Sequence, residues 1–140
     1  MRKILVATDF SDAAAAGLRL AAERHPDAEL LLLHVVDDDF ARRASQRTGL
    51  DPQELAEKAW NHADVRLEET AGAMRSRGRR VRALLLRGDP VAMTVDAANR
   101  DAADCVIVGV DALAVGAPGG RFRTRLVRRC PCPVLFVFAD

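Results

Sequence analysis

The chain has 140 residues, 49% of them apolar, enough for one ordinary core and too few for two comfortable domains, so one compact domain over 1–140 is expected. Its 21 basic residues against 20 acidic give a formal net charge of +1, so no whole-chain field points to nucleic acid or a membrane surface as partner. No apolar run approaches the ~18 residues of a membrane span and no leader pattern opens the chain, so the expected location is cytoplasmic.

Lys3 to Thr8 (KILVAT) is a short apolar run without alternation, the mark of a strand buried on both faces, and such strands belong to parallel sheets. Asp9, Phe10 and Ser11 break the run. Ser11 is placed to cap a helix reaching about Arg24, with Ala14, Leu18, Ala21 and Ala22 on one face and His25 and Pro26 as its stop. Leu30 to Val36 (LLLLHVV) is a second buried strand, in which His34 reads as a satisfied core histidine. The polar stretch from Asp37 to Asp51 has no period and reads as a long exposed connection. Asp51, Pro52 and Glu54 then combine a cap, a proline at the first helical position and a glutamate three residues after the cap. The helix they start is long: Leu55, Ala59, Ala63, Leu67, Ala71 and Met74 recur at three- and four-residue spacing up to Gly78.

Val81 to Leu86 is a third strand, Asp89 and Pro90 open a third helix with Val91, Val95 and Ala98 inward, and Cys105 to Val108 is a fourth strand. Arg87-Gly88-Asp89 spells an adhesion tripeptide but reads better as strand end, turn and cap. Arg121 to Arg129 has helical spacing at Phe122, Leu126 and Val127, and Pro131 and Pro133 end it before a last strand from Val134 to Phe138. Five strands alternating with four helices imply right-handed crossovers. The fold class is therefore α/β, an open doubly wound, Rossmann-like sheet of five parallel strands with helices on both faces. In such sheets ligands bind beyond the carboxyl ends of the strands where the strand order reverses, which directs attention to Asp9, the region of Val35, and Gly109 onward.

Three cysteines are a sparse, odd set, and the one-residue spacing of Cys130 and Cys132 in CPCP matches neither a C-x-x-C redox site nor a zinc knuckle. A reducing compartment suits them. His25, His34 and His62 have no ligand spacing and no nucleophile motif accompanies them, so neither a catalytic constellation nor a resident metal set is expected.

Five segments, KILVATDFSDAA, LLLLHVVD, RGDPVAMTVDAA, ADCVIVGV and CPCPVLFVF, stand in an order and at distances that resemble the universal stress protein family over nearly the whole chain. The resemblance implies the adenine nucleotide alpha hydrolase-like sheet, a homodimer and a regulatory role in stress tolerance. The family divides into members that bind ATP and members that do not. In the binding members the fourth strand is followed by a glycine, two residues, a glycine, nine residues, then a glycine with serine or threonine. Glycines let backbone N–H groups approach phosphate oxygens, the next helix offers unpaired donors, and the hydroxyl adds another.

By this resemblance Gly109 matches the first glycine and Gly120 the last, but the middle departs. Ala112 stands in the second glycine's place, the span is two residues short, and Arg121 stands where the hydroxyl belongs, with Gly116 and Gly119 as alternative flexible points. Arg121 either substitutes a charged donor for the hydroxyl, or it faces solvent or blocks the pocket and the loop is only a connection. Asp9 matches the family aspartate that meets the adenosine, though an aspartate there also serves as a turn or cap residue. Ala7 and Val35 match the adenine pocket, and alone would read as core. Val108 and Phe122, flanking the loop, complete the expected binding set, and the expected cofactor is ATP with Mg²⁺.

Arg121, Arg123, Arg125, Arg128 and Arg129 form a basic cluster that reads as an anion site or as the solvated face of a short helix. Asp37, Asp38 and Asp39 are a candidate answer to those arginines and a candidate Mg²⁺ site, against the plainer reading of exposed turn aspartates. Val134 to Phe138 ends in an uncovered apolar edge and is the dimer candidate, pairing antiparallel with its symmetry mate. The expected function is that of a non-catalytic stress-response regulator whose degenerate pocket binds an adenine nucleotide weakly or not at all. A nucleotide-free dimeric adaptor and a slow ATPase are the alternatives.

Overall fold

The computed structural model describes residues 1–111 and 119–139. Five parallel strands, β1 (Lys3–Ala7), β2 (Glu29–Val36), β3 (Val81–Arg87), β4 (Cys105–Asp111) and β5 (Val134–Ala139), stand in the order β3-β2-β1-β4-β5. Five helices connect them: α1 (Asp12–Arg24), α2 (Asp38–Thr48), α3 (Pro52–Arg75), α4 (Pro90–Arg100) and α5 (Gly119–Arg129). The chain steps outward from β1 to β3, then returns to the other side of β1 for β4 and β5. The order therefore reverses between β1 and β4.

Residues of successive parity along each strand go to opposite faces, and both faces are covered, which is why the strands read as unbroken apolar runs. Ile4, Val6, Leu30, Leu32 and Ile107 pack against Leu18 and Ala21 of α1 and Leu67 and Ala71 of α3. Leu5, Leu31, Leu33, Val106 and Val108 pack against Val91, Val95 and Ala98 of α4 and Leu126 of α5. The register sets this sorting, with Ile4 opposite Leu30 and Cys105, and Val6 opposite Leu32 and Ile107.

The start signals are used as N-caps. Ser11 Oγ accepts from the Ala14 N–H at 3.2 Å, Asp51 Oδ1 from Gln53 at 3.1 Å, and Asp89 Oδ2 from Ala92 at 2.9 Å. At the other end of α1, the Arg79 guanidinium donates to the carbonyls of Ala22, His25 and Ala28, answering acceptors that a helix terminus leaves open. Arg87, Gly88 and Asp89 are strand end, a residue at φ 141°, and cap.

The stretch after β2 corrects an expectation: it is not an irregular connection but the helix α2. Asp37 caps it, Asp38 and Asp39 sit in its first turn, and Gly49 ends it at φ 74° in the left-handed region that favours glycine. Of its residues only Ala41 is buried, so the helix has sound ends and no apolar stripe. It lies against α3, and two exposed ion pairs flank it, Asp38 with Arg87 at the end of β3 and Asp39 with Arg42 within α2. Among the described residues no helix is long and apolar enough to cross a membrane.

Candidate functional site

Where the strand order reverses, the carboxyl ends of β1 and β4 part and leave a cavity of about 410 Å³, the position at which open α/β sheets bind ligands. One wall is Ala7 to Asp9 beyond β1, continued by Leu33 to Val35 of β2; the opposite wall is Val108 to Val110 of β4. Pro90 and Thr94 of α4 and Phe122 and Arg123 of α5 close the sides.

The turn that carries Asp9 is built from three successive side-chain to backbone bonds. Thr8 Oγ1 accepts from the Phe10 N–H at 3.0 Å, Asp9 Oδ1 from Ser11 at 3.0 Å, and Ser11 Oγ from Ala14. The turn holds Phe10 at φ 66°, a conformation that a bulky side chain adopts only when its surroundings fix it. Here the Phe10 ring lies 4.7 Å from the His34 ring, and the Arg66 guanidinium sits 4.6 Å from its centre. Asp9 is thus a turn residue, with Oδ2 left without a partner among the described residues.

His34 lies 2.7 Å through Nδ1 from the Thr8 carbonyl oxygen, which can only accept, so Nδ1 carries the proton. It is the satisfied histidine the strand pattern suggested. It also lines the cavity, a second role that an apolar strand context conceals.

On the other side Asp89 caps α4 and receives Arg125 Nη2 of α5 at 3.3 Å. The Ala92 N–H chiefly holds the Asp89 carboxyl below its ordinary value; burial, the next largest effect, opposes it, and the Arg125 guanidinium with Arg129 behind it adds to the lowering. Both partners are about half exposed, so the pair orients α5 on α4 rather than adding much stability. Thr94 is buried and spends its hydroxyl on the Pro90 carbonyl at 2.7 Å.

Of the residues singled out from sequence, Ala7, Asp9, Val35, Val108, Gly109 and Phe122 meet around this one cavity. Arg121 does not; it is exposed, and Arg123, two positions on, lines the space instead. The spacing argument fixed on Arg121 because it follows Gly120, whereas α5 already begins at Gly119 and its own turn decides which arginine faces inward. Gly120 lies in the first turn of α5, while Ala112 and Gly116 fall outside the described residues. Thr8, His34, Pro90, Thr94 and Arg123 were missed. The Asp89-Pro90 start signal, which aims the α4 terminus at the switch point, could have found Pro90 and Thr94.

Gly109 has a packing reason of its own. A Cβ built there would lie 2.0 Å from the Ala13 carbonyl oxygen and 2.5 Å from the Ala14 nitrogen, both backbone atoms of α1. The three aspartates after β2 do not gather on the α5 arginines: Asp37 caps α2, Asp38 holds Arg87 and Asp39 holds Arg42. Among the described residues no cluster of three His, Cys, Asp or Glu side chains could hold a metal ion. The cavity offers apolar walls, one carboxylate on a stiff turn and one guanidinium opposite. That donor set suits a flat heteroaromatic ring bearing hydroxyls and an anionic tail.

The sequence profile of the universal stress protein family matches residues 1–137. Among solved structures, a universal stress family protein from Burkholderia pseudomallei is 28% identical at a TM-score of 0.72, covering 98% of this chain and 96% of its own. Universal stress protein UspA from Lactobacillus plantarum is 26% identical at a TM-score of 0.76, covering 97% of each chain. A family protein from Arabidopsis thaliana with AMP bound is 20% identical at a TM-score of 0.67, covering 100% of this chain and 93% of its own. No curated protein sequence matches.

Proposed function

The chain belongs to the universal stress protein family, and from that premise we propose that its cavity takes an adenine nucleotide and that it acts by binding, not catalysis, as a cytoplasmic regulator of the stress response. The observation that carries this reading is the meeting of Ala7, Val35, Val108 and Phe122 with Asp9 and Arg123 around one space at the switch point. The apolar group suits a purine, the free oxygen of Asp9 suits a ribose hydroxyl, and Arg123 suits a phosphate. The AMP held by the Arabidopsis thaliana relative supports the choice of adenine. Three unpaired cysteines agree with a reducing compartment. Mg²⁺ would arrive with the nucleotide's own phosphates, since the described residues offer no cluster for it.

Titration calorimetry of the purified chain with ATP and with AMP, each with Mg²⁺, tests the reading. Arg123→Ala is expected to weaken ATP binding about tenfold or more, the loss of one charge-assisted hydrogen bond. Arg121→Ala, at an exposed position outside the cavity, is expected to change it less than about twofold. Absence of heat with either nucleotide at millimolar concentration would end the nucleotide reading and favour an adaptor that works by protein contacts.

We also infer a homodimer through β5. Among the described residues this strand pairs only with β4, and Leu135 and Phe138 on it are 45% and 54% exposed, an apolar edge of the kind that seeks another strand. Antiparallel pairing of two copies about a twofold axis extends both sheets into one. Sedimentation is expected to show a dimer for the native chain and a monomer for Phe138→Asp; a native monomer at micromolar concentration rejects the arrangement.

A further inference from the structure

The link between α5 and β5 holds two thiols that the cavity does not use. Cys130 closes the last turn of α5, its N–H donating to the Leu126 carbonyl at 2.8 Å. Cys132 precedes β5, whose entry is fixed by the Val106 N–H donating to the Pro133 carbonyl at 2.9 Å. Pro131 between them has its φ locked by its ring. Held at both ends and stiffened in the middle, the link brings the two sulfur atoms to 3.7 Å, with both residues partly exposed. The third thiol, Cys105, is buried.

We propose that Cys130 and Cys132 are a redox site, closing to a reversible disulfide within one chain when a hydroperoxide oxidises them. The sulfurs are already in contact, and a bond of about 2.0 Å requires only a small side-chain rotation of each. Cys130 follows the last turn of α5 directly and is partly exposed, so a small hydroperoxide can reach it. Burial, and then the hydrogen bond and charge of Cys130, push Cys132 up to about 12, so Cys132 stays a thiol and Cys130 makes the first attack.

The Cys130 thiolate attacks one oxygen of the hydroperoxide. An S–O bond forms, the O–O bond breaks, and the departing alkoxide takes up the proton that Cys130 gave away, leaving an alcohol and a sulfenic acid. The Cys132 sulfur then attacks the Cys130 sulfur: the S–S bond forms, the S–O bond breaks, and hydroxide leaves with the Cys132 proton as water. Two thiols have lost two electrons and two protons, and the hydroperoxide has become alcohol and water. The first step also removes the Cys130 thiol that helped to hold the Cys132 proton, leaving burial as the main obstacle. Contact at 3.7 Å makes the second step intramolecular and offsets that obstacle. A ring closed over a single intervening residue is small and strained, and strained disulfides are the readily reduced, regulatory kind.

Hydrogen peroxide in slight excess on the full chain, followed by N-ethylmaleimide in denaturant, which also exposes Cys105, and mass spectrometry, tests the proposal. Of the three thiols, one, Cys105, is expected to remain alkylatable. The tryptic peptide that begins at Cys130 should be lighter by two hydrogens, and dithiothreitol should restore it. Cys132→Ser is expected to stop at a sulfenic acid on Cys130 that dimedone captures, and Cys130→Ser to give no adduct. Three alkylatable thiols after peroxide, a disulfide that includes Cys105 or a second chain, or sulfinic acid at Cys130 in the native protein would each overturn the proposal. The native-chain measurement stands without the serine variants, so a variant that misfolds does not decide it.

Discussion

Gly109→Ala is expected to destabilise the protein by about 4 kcal/mol or more, a large share of the roughly 5–15 kcal/mol that holds a domain of this kind. Gly109 lies in β4, hydrogen-bonded in register with Val137, under the first turn of α1. The added methyl carbon would stand 2.0 Å from the Ala13 oxygen, 2.2 Å from the Ala13 carbon and 2.5 Å from the Ala14 nitrogen. These are backbone atoms, so no rotamer change relieves the overlap and the helix itself must move. Moving it pulls on Ser11 and on the turn that holds Phe10 and Asp9, so stability and cavity suffer together. Gly17 is the contrast: a methyl there would stand 3.3 Å from the Ile107 Cγ2 methyl and 3.5 Å from the Gly109 nitrogen, tight but without overlap, and alanine also gains up to about 1 kcal/mol of helix propensity. Chemical denaturation of both variants is the measurement, with Gly17→Ala expected within about 1 kcal/mol of the native chain. A Gly109→Ala protein as stable as the native one would mean that α1 does not lie this close to β4. Helix packing alone is thus enough to require glycine at 109, so its presence says little about whether a nucleotide binds.

The same separation of packing from function explains which features the sequence displayed. β1, β2 and β4 were legible because burial on both faces leaves unbroken apolar runs, and α1, α3 and α4 because Ser11, Asp51 and Asp89 announce them as caps. α2 was not legible from periodicity, since a helix that buries only Ala41 has no stripe to read. Its Asp37 cap and terminal Gly49 were the available signals. At the site, topology pointed to Asp9, the region of Val35 and Gly109, because the switch point fixes where strands end, whereas Ala7 and Val35 themselves came from the family resemblance and on their own read as core. Arg123 followed from neither, because which of five nearby arginines faces inward depends on where α5 starts and how it sits on Leu126. His34 and Thr94 were hidden for another reason: each makes an internal hydrogen bond and so looks like a satisfied core residue while still facing the cavity.

Leu126→Ala is expected to cost about 3 kcal/mol and to weaken nucleotide binding with it. Among the described residues of α5 it alone is fully buried, at 0% exposure; Phe122 is partly buried on the same cluster, and Arg121, Thr124, Arg125, Val127, Arg128 and Arg129 are exposed. The Asp89–Arg125 pair is too exposed to replace the lost anchor, being worth about 1 kcal/mol at most. Removing the anchor loosens the helix that presents Phe122 and Arg123 to the cavity, so faster hydrogen exchange should appear first in α5 while β1 and β2 stay protected. Val127→Ala, one residue on and 55% exposed, controls for shortening a side chain in the same turn and should change stability by less than about 0.5 kcal/mol. Equal stability and equal exchange in the two variants would show that α5 does not hang on Leu126. A loss at Leu126 confined to α5 exchange and nucleotide affinity would show the helix to be a separately stable arm of the site, whose position sets how tightly the cavity closes on its ligand.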